Sequence, residues 1–376
     1  MTTERDLRIA VLPGDGIGPE VMTPCLELIA RLDQQFGGLG LRFDHCDAGA
    51  GCYRKQGVAI PDDSLQLASN ADAILLGAMG LPEVRYPDGR EIAPQLDLRE
   101  SLELYAGLRP VRSLPGLPAV LADPRAQELD LVLVRESTEG LFAARGRSEQ
   151  RGDEAVLDTL VITRRVSERL FDFAFNLARQ RKAAGSQGRV TCIDKANVLG
   201  AFAFFRKIFF ERAERYPDIE ADCAYVDAMG LHLLQRPWSF DVLVTENMFG
   251  DILSDVGAAL MGGMGMAPSA DLGDDHAVFQ PCHGSAPDIA GQGKANPTAM
   301  LLSAALMLKW LGERHHRNAL SSAGQQLEAA IATVFATGRY IPYEQGGDAG
   351  THAIVAAVAE ALEAQNPASL AAGAPA

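Results

Sequence analysis

The sequence predicts an α/β fold in which apolar strands alternate with helices. Five short apolar runs bounded by turn formers read as buried strands: 7-LRIAVLP-13, 71-ADAILLGAMG-80, 130-DLVLVRES-137, 189-RVTCIDKA-196 and 240-FDVLVTEN-247. Stretches with helical apolar spacing separate them, notably 165–184, 198–215 and 297–312. Such alternation implies mainly parallel central pairing. A chain of 376 residues exceeds one ordinary core, so two domains or lobes are expected.

Taken in order, the first strand runs into 13-PGDGIGPE-20 and then an amphipathic helix. Gly14, Gly16 and Gly18 recur at every second residue. That is not the G-x-G-x-x-G dinucleotide fingerprint and supports only a tight strand-to-helix turn. Segment 143–165, AARGRSEQRGDEAVLDTLVITRR, breaks the rhythm. It is charged at first and then alternates, which predicts a projecting arm suited to pairing with a partner subunit. The tail 365–376 is small and polar and is expected to fray.

Composition excludes several functions. The net charge of −15 argues against nucleic acid, whose binders need a basic footprint. It leaves room for small anions held by a few arginines. Glu4, Arg5 and Asp6 precede the first apolar run, so no signal peptide is expected. No apolar stretch reaches the roughly 18 residues of a membrane span. Six cysteines lie scattered without metal-ligand spacing. They read as reduced thiols of a cytoplasmic protein.

The residues with the clearest chemistry lie in 249-FGDILSDVGAALMGGMGMAP-268. Asp251 and Asp255 stand four apart, on one face of a helix. Like charges so placed repel unless a cation sits between them or both face water. A third acid, Asp227, follows an apolar run in ADCAYVDAMGLHLL. Carboxylates without Cys or His suit a hard cation, Mg²⁺ or Mn²⁺. Lys195, in CIDKANVLG, sits where a strand meets a helix. A lysine there either snorkels to solvent or, if buried, serves as a base. Arg99, Arg109 and Arg135 stand near element ends and offer forks for carboxylates; singly, each also fits a surface ion pair. The turn-rich loop 283-HGSAPDIAGQGKANP-297 lets a ligand approach the backbone. Its Asp288 can accept from a ribose diol and would repel a 2′-phosphate, favouring NAD.

Together these stretches resemble the isocitrate/isopropylmalate dehydrogenase family, metal-dependent β-decarboxylating dehydrogenases of 2-hydroxy acids. The shared pieces are PGDGIGPEV, LRESLELYAGLRP, VRESTEG, DKANVL, YVDAMGLHLL, VTENMFGDILSD and HGSAPDIAGQGKANPTA, spread from about residue 8 to 360. The resemblance implies a two-lobed fold with a mixed central sheet, not a Rossmann fold. One lobe combines 1–104 with 262–364; the other, 105–261, carries the arm and pairs in a homodimer with shared active sites. By position, Arg99, Arg109 and Arg135 match carboxylate-binding arginines. Asp227, Asp251 and Asp255 match metal ligands, with Asp227 lent by the partner. Lys195, also lent, matches the catalytic lysine, acting with Asp227; Asn197 lies beside it on the substrate side. Ile17, His283, Gly284, Ser285, Ala286, Asp288 and Asn296 fall at cofactor positions, and Asp288 and Ile289 stand where NADP-using members carry Lys-Tyr. The implied activity is NAD-dependent oxidative decarboxylation of a substituted malate, either 3-isopropylmalate-like or isocitrate/homoisocitrate-like. Tartrate/D-malate dehydrogenation and a non-catalytic regulatory paralogue are the alternatives.

Three positions depart from the family pattern. Phe142 replaces the usual proton-donating tyrosine and has no proton to give. Gln280 stands where most members have Glu. Gln95, just before Arg99, makes the expected apolar pocket wall more polar, at a cost of about 1–3 kcal/mol to an isopropyl group. The first two leave three outcomes: water or another group protonates the product, decarboxylation is slow, or catalysis is lost.

Overall fold

The computed structural model describes residues 5–365, so the expected frayed tail lies almost wholly outside the described residues. The first segment contains β1 (Leu7–Gly14), α1 (Gly18–Gln35), β2 (Leu41–His45), α2 (Ala50–Gln56), α3 (Asp62–Ser69), β3 (Ala73–Ala78) and α4 (Pro94–Ser101). The middle contains β4 (Ala106–Arg112), β5 (Asp130–Glu136), β6 (Glu149–Arg151), β7 (Ala155–Leu157), α5 (Arg164–Ala183), β8 (Arg189–Asp194), α6 (Gly200–Ala213), β9 (Glu220–Tyr225), α7 (Val226–Gln235), β10 (Val242–Thr245) and α8 (Asn247–Leu260). The last contains β11 (Pro268–Leu272), β12 (Ala277–Pro281), α9 (Thr298–Arg314), α10 (Asn318–Ala336) and α11 (Thr351–Ala364).

Ten strands form one sheet in the order β2-β1-β3-β12-β11-β4-β5-β10-β8-β9. The first five come from residues 7–78 and 268–281, the other five from 106–245. The apolar run of β3 is buried at all six positions, as expected for a strand covered on both faces. The outermost strands β2 and β9 carry exposed residues. Helices α1 and α9 pack near β1, β3, β11 and β12, while α5 and α8 pack on β5 and β10.

The sheet is mixed, and the expected parallel centre needs correction. Pairings toward both ends are parallel, but β12–β11, β11–β4 and β4–β5 in the middle are antiparallel. Four residues join β11 to β12, closed by Gly273 N–H donating to His276 O at 2.8 Å. So short a link can connect only antiparallel neighbours. The irregular arm contains a β6–β7 hairpin that pairs with itself, with every strand residue exposed. All six cysteines are free. No helix among the described residues is long and apolar enough to cross a membrane.

Candidate active site

The three arginines meet at the antiparallel centre. They line one cavity of about 380 Å³ together with Asp251, Asp255, Gln95, Phe142, Gln280 and His283. The register explains the meeting. Asp271 of β11 stands opposite Gly107 of β4, and Gly107 opposite Arg135 of β5. Arg109 lies two residues beyond Gly107 and shares its face. A side chain at 107 would begin 3.1 Å from Asp271 Oδ1 and 2.6 Å from Ser137 Oγ. Glycine there leaves the row open.

Asp271 is one of two residues, with Asn247, that sequence reasoning missed. It is fully buried and accepts from Arg99 Nε at 2.9 Å, Arg109 Nη2 at 3.0 Å and Gln280 Nε2 at 2.9 Å. Burial pushes its carboxyl up, but Arg109 and Arg99 outweigh this and hold it far below the ordinary carboxylate range. Arg109 also donates through Nη1 to Ala270 O at 3.0 Å. An acid inside the short run PSADL has no periodic signal, so only the register reveals it.

Arg135 is buried and faces the other arginines. Burial, then the charges of Arg99 and Arg109, pull its guanidinium down to about 10. Nε and Nη2 share Asn247 Oδ1 at 3.0 and 2.8 Å, and Nη1 donates to Asp251. The Phe142 ring lies 5.1 Å from the guanidinium carbon. Helix α8 comes this close because Gly250 lies against Arg135: a Cβ at 250 would sit 2.6 Å from Arg135 Cγ. Glu246 caps the helix by accepting from Phe249 N at 3.3 Å. Asp251 and Asp255 therefore both reach the cavity. Burial, then the charge of Asp251, raises the Asp255 carboxyl above its ordinary value.

The third acid is elsewhere. Asp227 accepts from Lys195 Nζ at 2.6 Å, and neither residue lines the cavity. That hydrogen bond lowers the Asp227 carboxyl. Asn197, two residues on, is exposed. Among the described residues of one chain, no group of three His, Cys, Asp or Glu could hold a metal. Exposed apolar side chains accompany the pair: Val198 and Leu199, whose N–H groups donate to Lys195 O, and Leu231 and Leu234 on the Asp227 face of α7, are 68, 48, 53 and 57% exposed.

The 283–296 loop closes the other side of the cavity. Ile17 N–H donates to Ser285 O at 2.8 Å, and Ser285 Oγ to Gly80 O at 2.5 Å. Ile17 thus holds the loop through its backbone. Ala286 takes a left-handed φ of 35°. His283 Nδ1 is 2.8 Å from Gly284 O; a carbonyl only accepts, so the proton sits on Nδ1. Nε2 then has no partner, and burial holds the ring below its ordinary value, hence neutral. Gly284 has open space where a Cβ would stand. Asp288 is exposed, and only its backbone carbonyl is engaged, by Gln292. Asn296 is buried with its amide already used: Nδ2 donates to Glu344 Oε1 at 2.7 Å, and Oδ1 accepts from Thr298. Ile17, Ser285 and Asn296 are the buried cofactor candidates. Gln95 Oε1 is buried without a partner in the cavity wall.

A mixed α/β sheet with an arginine-lined cleft at its antiparallel centre, faced by two helix-borne acids, is an architecture outside the Rossmann class. The chain belongs to the isocitrate/isopropylmalate dehydrogenase family, whose model matches residues 8–358. It is 42% identical over 356 residues to a 3-isopropylmalate/3-methylmalate dehydrogenase of Methanocaldococcus jannaschii, covering 94% of this chain and 98% of that one. It is 40% identical over 323 residues to a homoisocitrate dehydrogenase of the same organism, covering 84% and 89%. A crystal structure of isocitrate dehydrogenase from Methylococcus capsulatus superposes with a TM-score of 0.83 at 36% identity, covering 95% of this chain and 99% of that one.

Proposed function

We propose that the protein is an NAD- and divalent-metal-dependent dehydrogenase that oxidatively decarboxylates a 2-hydroxy acid of the substituted-malate type. It works as a cytoplasmic homodimer with two lobes per chain, 1–104 plus 262–364 and 105–261, and with active sites shared between chains. The observation that carries this reading is the joint presence of Arg99, Arg109, Arg135, Asp251 and Asp255 around one cavity. Guanidinium forks recognise carboxylates, and three of them crowded together favour an anionic guest.

A cation fits the two acids, because burial and the charge of Asp251 raise the Asp255 carboxyl even with Arg135 and Arg109 near it. Two carboxylates do not complete a coordination shell, and Asp227 of a second copy supplies the next. The exposed apolar side chains that accompany Lys195 and Asp227 support that second copy, since patches of this kind mark interfaces. For NAD, open Gly284 permits close approach and the unengaged Asp288 carboxylate can accept from a ribose diol. When bound, the cation supplies Lewis acidity to the hydroxyl and NAD the hydride acceptor.

The chain's own groups do the rest. The arginines hold the two carboxylates of the malate core. Lys195 of the second copy takes the hydroxyl proton as hydride leaves C2. The β-carboxylate departs as CO₂, and its electron pair is quenched by a proton at C3. Phe142 has none to give, so water or another side chain supplies it. Gln95 Oε1, buried and unpartnered, is an acceptor and favours a C3 substituent that can donate, such as a hydroxyl, over isopropyl.

The test is NADH formation with Mn²⁺ and K⁺ over 3-isopropylmalate, isocitrate, homoisocitrate, tartrate and D-malate. We expect turnover, with kcat/KM for the best polar substrate about tenfold above 3-isopropylmalate, as suits about 1–3 kcal/mol for an unmatched polar wall. Turnover of none would overturn the reading in favour of a non-catalytic paralogue.

A further inference from the structure

Two of the three arginines are not free to find a substrate by themselves. Arg99 and Arg109 reach the cavity from α4 and β4. What joins them is the carboxylate of Asp271, 1% exposed, with one oxygen on each guanidinium. The contact is directional. Arg99 gives up only Nε, so its two Nη groups remain, paired and parallel, as a fork for a carboxylate. Arg109 gives up Nη1 and Nη2 to Ala270, Leu108 and Asp271, which turns it inward as a fixed post. Asp271 also removes one unit from the cluster's positive charge, which already depresses Arg135.

Gln280 completes the arrangement. Its side-chain nitrogen donates to the same Asp271 oxygen that Arg99 uses. A carboxylate cannot donate, and two carboxylates in one dry site cannot both stay ionised. With aspartate at 271, glutamate at 280 would repel it or take a proton. The glutamine that reads as a departure in the sequence therefore reads in the structure as a consequence.

We propose that Asp271 is a positioning residue that sets the geometry of Arg99 and Arg109, and that Gln280 is the neutral donor its presence requires. This rests on the proposed reading of the arginines as substrate-binding groups.

The test moves the negative charge by one hydrogen bond. Asp271→Asn, Gln280→Glu and the double variant are compared with the parent for KM and kcat on D-malate, and for the melting-temperature shift that D-malate induces, between pH 6 and 8. D-malate carries the bare malate core. For Gln280→Glu we expect about a tenfold rise in KM at pH 8 that recedes toward pH 6, as one of the two carboxyls takes a proton near Arg99, Arg109 and Arg135. For Asp271→Asn we expect about a tenfold rise at every pH, and for the double variant a return to within about threefold of the parent without the pH limb. The kcat values should move far less than KM. A purely structural role predicts neither the pH limb nor rescue by exchange.

A double variant no better than Asp271→Asn, or Gln280→Glu matching the parent at pH 8, overturns the proposal. If Asp271→Asn does not fold, the pH dependence of Gln280→Glu decides alone. A parent that shows neither turnover nor a melting shift with any acid of the substrate panel sinks the proposed function itself, and this inference with it. A parent that binds while the variants fail the stated order sinks this inference only.

Discussion

Two places in this chain set a basic side chain against an aspartate, and they are built in opposite ways. At the sheet centre, Arg109 and Asp271 are 6% and 1% exposed. On the α6–α7 side, Lys195 and Asp227 are 26% and 68% exposed, amid apolar residues turned to solvent. The first pair is finished; removing either member strands a buried charge. The second has no such support and acquires a purpose only if something covers it. One chain thus carries the recognition half of the proposed site and presents the chemical half outward.

The contrast is broken most severely from inside. Arg109→Met leaves Asp271 with one arginine, and loss of one partner of a buried pair costs about 3–5 kcal/mol. Denaturant unfolding should show that loss, along with collapse of D-malate binding. An unchanged unfolding midpoint would mean the pair is not structural. Lys195→Met should behave in the opposite way, losing about 10²–10⁴-fold in kcat with its melting temperature unmoved. Mixed with an inactive Asp251→Asn chain and allowed to exchange subunits, it should recover about a quarter of parent activity, because half the dimers then hold one intact site. No recovery would show that Lys195 serves its own chain. The smallest effect is in acid. Asp271 has a depressed folded-state pKa, so its stabilisation is present above the ordinary carboxylate range and lost as pH falls through and below that range. Between pH 5 and 3 the parent's melting temperature should fall more steeply than that of Asp271→Asn, whereas Asp227→Asn should track the parent.

Much of the fold was legible because it rests on local pattern. The five apolar runs became β1, β3, β5, β8 and β10, and the helical stretches became α5, α6 and α9 within a residue or two. Asp251 and Asp255 share a helix face, as their spacing required. Pairing direction was less legible, because it depends on connections rather than runs. PSADL and AVFQP are short, and the turn between them reverses the middle of the sheet. The site followed the same division. The arginines were visible one by one, but their convergence is a fact of register. Asp271 and Asn247, which hold them, sit 162 and 112 residues from their partners, with no local signal to announce the contact. The resemblance supplied the roles proposed for Lys195 and Asp227, and within one chain neither residue lines the cavity.

The antiparallel strands β11 and β12 have a consequence for how the molecule is made. Val278 of β12 lies beside Ile74 of β3, so the N-terminal strands gain their inner neighbour only after some two hundred further residues have been synthesised. Until then β3 presents an unpaired, wholly apolar edge, the kind of surface that invites aggregation. The segment 106–245 has no such wait, since its five sheet strands are contiguous in the chain and adjacent in the sheet. Assembly on the ribosome should therefore begin in the middle of the chain, and a premature stop before residue 281 should release a polypeptide whose earliest-made part has nothing to close against.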